Sequence, residues 1–238
     1  MDWQTLAGTL FPLGHTITEK DQLISGTAQA FGGTIAVVGT TGHAPIGVEI
    51  ALAQARVILD TLRDAPGRGI LILVDTQGQR LRHRDEMLGI NSYMAHLGKC
   101  VELARRRGHR VVALVYDQAL SGGFITSGLM ADACYALPEA AIRVMGLPAM
   151  ARITKVPEER LVALAASNPV FAPGPENYLR MGGIEGIWDG DLMHQLEVAF
   201  ANASPVDTRS ALGQQRGGRQ LAQEVIAAIV AGRNALAP

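Results

Sequence analysis

The sequence predicts an α/β fold built on a parallel sheet with helices packed outside it. Two continuous apolar runs, residues 69–74 (GILILV) and 110–116 (RVVALVY), read as strands buried on both faces. Amphipathic helical stretches lie before and between them. The strand starts near residues 34, 69 and 110 recur at the spacing of a ββα or βα unit.

In chain order, the first 20 residues carry no strong period and read as a lead-in. Residues 23–31 and 34–40 are extended runs around Gly32-Gly33, which predicts a hairpin. Gly42-His43-Ala44-Pro45 then precedes residues 48–62, where Ile50, Ala51, Val57, Ile58 and Leu62 mark one face of a helix. The strand 69–74 runs into Asp75-Thr76-Gln77-Gly78-Gln79, a polar turn. A long helix is expected at 86–107, a strand at 110–116 and a glycine-led helix at 122–131. Short strands follow at 134–137 and 142–145. Past Pro148 the chain turns helical, with helices at 157–166, 175–181, 191–203 and 218–236, each opening on a Pro, Asp or Gly. A short strand at 184–188 and a flexible polar joint at 214–218 complete the reading. No second independent core is visible, so residues 1–238 are expected to form one domain, helical from about residue 149.

Composition narrows the function classes. Hydrophobic residues make up 48% and charged residues 18%, a globular profile. The net charge is −1, and the one basic block, Arg105-Arg106-Arg107, ends an expected helix, where cations complement the dipole. That argues against a nucleic-acid partner. Cys100 and Cys134 stand in apolar stretches outside any metal-ligand spacing, so they are expected to be buried thiols, with no metal site. No signal peptide and no apolar run of membrane-spanning length is visible, which fits a cytoplasmic protein.

Chemistry concentrates at three strand ends. In Tyr116-Asp117-Gln118-Ala119-Leu120-Ser121-Gly122-Gly123-Phe124, a buried strand passes through a short turn into a helix opened by two glycines. The first N–H groups of a helix lack intrahelical partners and carry partial positive charge. Glycines let a ligand oxygen approach them, which is one way to build an oxyanion hole from backbone alone. The same glycines could instead serve only close strand–helix packing. Residues 38–47, with Gly42 and His43, form a second candidate anion nest, in which His43 is either structural or an acid–base group. Asp75, Thr76, Gln77 and Gly78 form the third loop; Asp75 itself reads first as a turn-forming Asp bonded to its own backbone. Parallel sheets place ligands beyond the carboxyl ends of their strands, so the three loops should gather on one face.

GILILVDTQGQ, then Glu86, Gly89 and Ile90, then LSGGF, Asp132 and YALPEAAIRVMGLPAM resemble the crotonase and carboxyltransferase superfamily. More narrowly they resemble the gamma-subunit family of biotin-independent malonate decarboxylases, over about residues 24–188. The resemblance implies a crotonase-like ββα superhelix with a helical C-terminal part. It implies that a homologous beta subunit holds the acyl carrier and that this chain offers the Gly-Gly oxyanion hole. The pair would convert malonyl-acyl carrier protein to acetyl-acyl carrier protein and CO2. Gly122, Gly123 and Phe124 would supply catalytic N–H groups; Ser121, Thr76, Gln77, Gly78, Gly42 and His43 would contact substrate. No cofactor would be attached to this chain; the substrate would ride on the carrier's CoA-derived phosphopantetheine-type arm, loaded by an acyl-transferase alpha subunit.

Within the superfamily, hydratases usually place a Glu soon after the glycine pair, where Phe124 and Ile125 stand here, and another in the loop now reading Val144-Met145-Gly146-Leu147-Pro148. Related peptidases need a His in that loop, and Ser121 without a base is a poor nucleophile. Decarboxylation needs neither. Two other functions stay open at this level: the carboxyl-side half of a biotin-dependent acyl-CoA carboxyltransferase, and a non-catalytic capping subunit.

Overall fold

The structure is a computed structural model, and it describes residues 1–166, 174–218 and 220–235. The chain opens on a helix, α1 (Trp3–Leu10), where a lead-in was expected. Asp2 caps it, its carboxylate accepting the N–H of Thr5 at 2.7 Å. Trp3, Leu6, Ala7 and Leu10 recur at helical spacing and are all buried. The interposed Thr5, Gly8 and Thr9 hid that period in so short a segment.

Three strands follow: β1 (Thr18–Lys20), β2 (Leu23–Ala30) and β3 (Gly33–Thr40). β2 and β3 form the expected hairpin, in register from Leu23 opposite Thr40 to Ala30 opposite Gly33. Its turn is centred one residue earlier than expected, on Phe31 and Gly32, both in the left-handed region. Next come β4 (Pro45–Ile46), α2 (Val48–Asp64), β5 (Ile70–Thr76) and β6 (Gly78–Gln79). The expected polar turn at 75–79 is thus extended: Asp75 and Thr76 finish β5, and Gly78-Gln79 pair with Pro45-Ile46 as a two-stranded ribbon. The long helix expected at 86–107 is two, α3 (His83–Met87) and α4 (Ile90–Arg106), split where Gly89 takes φ 75°.

The chain continues through β7 (Val111–Leu120), α5 (Ser121–Thr126), a 3-10 turn at Gly128–Met130, β8 (Ala133–Ala136) and β9 (Ala141–Arg143). The remainder is α6 (Leu147–Thr154), α7 (Glu158–Ala165), α8 (Pro175–Arg180), β10 (Gly186–Ile187), α9 (Leu192–Asn202), α10 (Arg209–Gln215) and α11 (Gln220–Ala235). Neither α6 nor α10 was anticipated. Pro148 read as a boundary, yet it sits in the first turn of α6, where its missing N–H costs nothing. The joint expected at 214–218 is pinned: Arg216 donates to the carbonyls of Leu179, Ile184 and Glu185, each at 2.9 Å. Leu236, in the helix expected at 218–236, lies outside the described residues.

The main sheet runs β1-β2-β3-β5-β7-β8-β10, antiparallel as far as β3 and parallel beyond it, with β9 joining the far end of β7. Every residue of β5 is buried. Leu71 and Leu73 face a core shared with α1 and α9, while Ile70, Ile72 and Val74 face the core under α2 and α4. The sheet therefore lies between two helical layers, which is why its central strands read as unbroken apolar runs. Asp132 ties α4 to β7, its buried carboxylate accepting Arg105 Nε at 2.6 Å and the Val111 N–H at 2.8 Å. Cys100 and Cys134 are free and buried, and burial pushes the Cys134 thiol up to about 12.

Gly39 marks where β3 and β5 approach too closely for a side chain, because a Cβ there would run into the carbonyl of Leu73. Gly39→Ala is expected to lower stability by about 1–3 kcal/mol, the usual cost of overpacking. Urea unfolding of the two chains measures this, and equal midpoints would contradict the packing.

Candidate active site

The site grows from the carboxyl ends of β3, β5 and β7. Two buried polar side chains close the central strand. Asp75 accepts the His43 N–H at 2.8 Å and the Gln118 N–H at 3.3 Å, so one carboxylate joins the loop after β3 to the end of strand β7. It does not bond its own turn, as its sequence context suggested. Burial is the main reason its carboxyl is held above the ordinary range, against the His43 N–H, which favours the charged form. Thr76 donates to the Ala44 carbonyl at 2.6 Å and accepts the Gly78 N–H at 2.9 Å, fixing the ribbon of β4 and β6 beside it.

α5 seats on this platform through glycine. A Cβ on Gly123 would lie 2.9 Å from Ile46, 3.0 Å from Thr76 Oγ1 and 3.1 Å from Gly78 Cα. A Cβ on Gly78, whose φ is 96°, would lie 2.9 Å from the side chain of Ser121. Both glycines therefore answer to close packing, and Gly123 combines that role with a place in the first turn of α5. Gly122 differs: its Cβ would meet only Met94 at 3.6 Å and Gln79 at 3.9 Å, which is open contact. Ser121 turns the chain from β7 into α5 with φ 49°, a conformation unfavourable for a side-chain-bearing residue. Its hydroxyl donates to the Val144 carbonyl at 2.6 Å, so it is engaged in holding the turn.

A cavity of about 770 Å³ opens over this turn. Ser121, Gly122, Gln77 and Gln79 line it from the Gly-Gly turn and the ribbon, and Val144, Gly146, Ala149 and Arg152 line it from the segment that leads into α6. Because α5 begins at Ser121, the N–H groups of Gly122 and Gly123 precede the first i→i−4 bond; that of Phe124 is the first that the helix itself uses. The Phe124 ring is buried, edge-on to Tyr178.

The structure sorts the other expected site residues. Gln77 and Ser121 line the cavity. Thr76 and Gly78 are buried behind it and set its floor. Gly42 and His43 do not line it; they face a separate recess with Asp75, Tyr116 and Asp117. There His43 Nε2 lies 3.2 Å from Asp117 Oδ1 and 3.7 Å from Asp75 Oδ1. These three side chains are the described residues close enough to share a metal ion. Sequence reasoning missed the lining from the segment that leads into α6. Residues 144–152 carry little polar signal, and the one mark was Arg152 on an otherwise apolar turn of helix.

The fold and the site define a crotonase-type carboxyltransferase subunit. The chain superposes on a Pseudomonas malonate decarboxylase MdcD–MdcE hetero-dimer chain with a TM-score of 0.75 and 26% identity, covering 97% of each. A chain of the hetero-tetramer in complex with coenzyme A gives 0.78 at 24% identity, covering 95% of this chain and 97% of that one. Transcarboxylase 12S gives 0.70 at 17%, over 85% of this chain and 41% of that one, a likeness of fold alone. A Malonomonas rubra relative, the malonyl-S-ACP:biotin-protein carboxyltransferase MADD, is 34% identical over 204 residues, 76% of this chain and 70% of its own. Residues 41–233 match the malonate decarboxylase gamma subunit family, and the chain belongs to that family.

The raised Asp75 carboxyl carries a sign. The folded state holds its proton more readily than the unfolded chain, so folding loses stability from this group as pH rises above 3.8 toward the folded value. Wild type is therefore expected to lose stability relative to Asp75→Asn as pH rises above about 4. Urea unfolding of both across that range decides it, and a difference that is flat or moves the other way would contradict the assignment.

Proposed function

We propose that this chain is the gamma subunit of a biotin-independent malonate decarboxylase, a single crotonase-like unit over residues 1–238. Its Gly-Gly turn stabilises the enolate formed when a malonyl thioester loses CO2. The observation that carries the reading is the first turn of α5, which leaves the Gly122 and Gly123 N–H groups outside the helical ladder, with Gly122 lining the cavity and Gly123 buried next to it. In the reaction, the electron pair of the Cα–carboxyl bond moves into the thioester, CO2 leaves, and a proton then adds at Cα. Charge gathers on the thioester oxygen, and N–H donors fixed in advance stabilise it by about 3–4 kcal/mol each. Neither a metal nor a nucleophile enters this account. Gln77 lines the same cavity and contacts the acyl group; Ser121 positions the turn.

The carrier-bound substrate follows from the names of the relatives. MADD acts on malonyl-S-ACP, and a Pseudomonas complex holds coenzyme A, so the acyl group arrives here on a CoA-derived phosphopantetheine-type arm. A homologous beta subunit, matching the MdcD–MdcE pairing, completes the pocket, and an acyl-transferase alpha subunit and the acyl carrier protein complete the complex. Apolar side chains at the cavity mouth support this: Leu81 is 90% exposed, Ile153 66% and Val144 52%. So does the apolar stripe of α11, where Leu221, Val225 and Ile229 face outward. None of the described helices is long and apolar enough to cross a membrane, and the complex is assigned to the cytoplasm.

The name of MADD favours a second reading, the carboxyl-side half of a biotin-dependent carboxyltransferase. Reconstituted complex is expected to release CO2 from malonyl-acyl carrier protein equally well with and without avidin. Loss of release on adding avidin would select the biotin-dependent reading. Gly122→Val is expected to lower kcat about 100-fold, the scale of losing one oxyanion donor, with an unchanged melting temperature. Ser121→Ala should lower it far less. Unchanged turnover in assembled Gly122→Val complex would leave this chain a capping subunit.

A further inference from the structure

The cavity beside the Gly-Gly turn has a cation in its lining. Of the twelve side chains and backbones that line it, Arg152 is the one that carries charge. It stands on α6 and lines the same cavity as Gly122. Among the described residues, no carboxylate and no carbonyl pairs with its guanidinium; the arginine ion pairs found there are formed by other arginines, at other places. A second observation points the same way. Arg143, in register with Leu120 of β7 and next to Val144 of the cavity lining, has a buried Nε with no acceptor. Among the described residues, no carboxylate lines the cavity to balance Arg152.

We infer that Arg152 recognises the free carboxylate of the malonyl group, so that the cavity selects a three-carbon dicarboxylic acyl chain over its monocarboxylic product. This rests on the function proposed above and names the residue that discriminates substrate from product. A guanidinium offers paired N–H donors that match a carboxylate, and always carries its charge. The acyl group then spans the cavity, its thioester oxygen toward Gly122 and its carboxylate toward Arg152.

The chemistry gives this pairing a kinetic signature. The carboxylate is charged when substrate binds and becomes neutral only as CO2 leaves, so the Arg152 interaction contributes to binding and adds nothing specific to the transition state. An interaction of that kind lowers KM without raising kcat. After release, the acetyl group has nothing for Arg152 to hold, and product leaves without that anchor.

The test uses the reconstituted complex with malonyl-acyl carrier protein as substrate and acetyl-acyl carrier protein as product, comparing wild type, Arg152→Met and Arg152→Lys. Loss of one partly exposed charge-assisted contact predicts a KM about 10-fold higher in R152M, with kcat within about twofold. R152K should fall between, since an ammonium keeps the charge and loses the fork. Equilibrium binding of acetyl-acyl carrier protein should be the same in all three, which also shows that the variants are folded and assembled. An unchanged KM in R152M would overturn the assignment. So would an equal weakening of malonyl and acetyl carrier binding, which would make Arg152 a carrier-docking residue, or a fall in kcat alone. Wild-type complex that releases no CO2 would refute the proposed function instead. In that case the malonyl-to-acetyl ratio of equilibrium affinities still decides the role of Arg152: a ratio that R152M leaves unchanged overturns it.

Discussion

Two buried polar side chains at the end of one strand set the geometry on which the rest of the site depends. Asp75 and Thr76 close β5, the central parallel strand, and both are almost fully excluded from solvent. A carboxylate and a hydroxyl in that position cost several kcal/mol unless their hydrogen bonds are made. The chain makes them with neighbouring backbone: His43 and Gln118 for Asp75, Ala44 and Gly78 for Thr76. The loop after β3, the start of β6 and the end of β7 are thereby held in one register.

That register determines where α5 can begin. Ile46 and Gly78, fixed by the ribbon beside Thr76, leave a slot that a glycine at position 123 fits and any larger residue overfills. Ser121 must then take a left-handed backbone to bring the chain out of β7, and its hydroxyl fastens the turn to Val144. The outcome is a helix start at which Gly122 lines the cavity and Gly123 is seated against the ribbon. For a reaction whose difficulty is a charge gathering on one oxygen, rigid backbone donors are what the protein has to provide. The same cavity is lined by Arg152, which has no protein partner among the described residues.

Much of this was legible in the sequence where the signal was local. The runs at 69–74 and 110–116 could only be buried strands, and their parallel pairing with β3 followed from the intervening helices. The Ser121-Gly122-Gly123 turn was visible because two glycines after a strand have few other uses. What depended on contacts between distant residues was not legible. Asp75 looks like a turn residue until Gln118, 43 positions later, is found donating to it. Gly42 and His43 share the strand-end platform yet face another recess, because Asp75 draws the His43 backbone inward while its ring leans toward Asp117. Phe124 is grouped with the two glycines by sequence, but in a helix that begins at Ser121 its N–H is the first that the helix itself uses. The short helices α1, α6 and α10 were missed because segments of seven or eight residues seldom display a full period, and Pro148 reads as a stop until its place in the first turn is known.

The central claim is that the acyl oxygen of a malonyl thioester sits on the Gly122 and Gly123 backbone. The most direct measurement is an experimental structure of the assembled complex with a non-cleavable malonyl-thioester analogue on the carrier arm. The account places the thioester oxygen within about 3 Å of the Gly122 and Gly123 nitrogens, beyond the carboxyl end of β7. An analogue whose thioester oxygen is bound by the partner subunit alone, with the first turn of α5 turned away from it, would contradict the account.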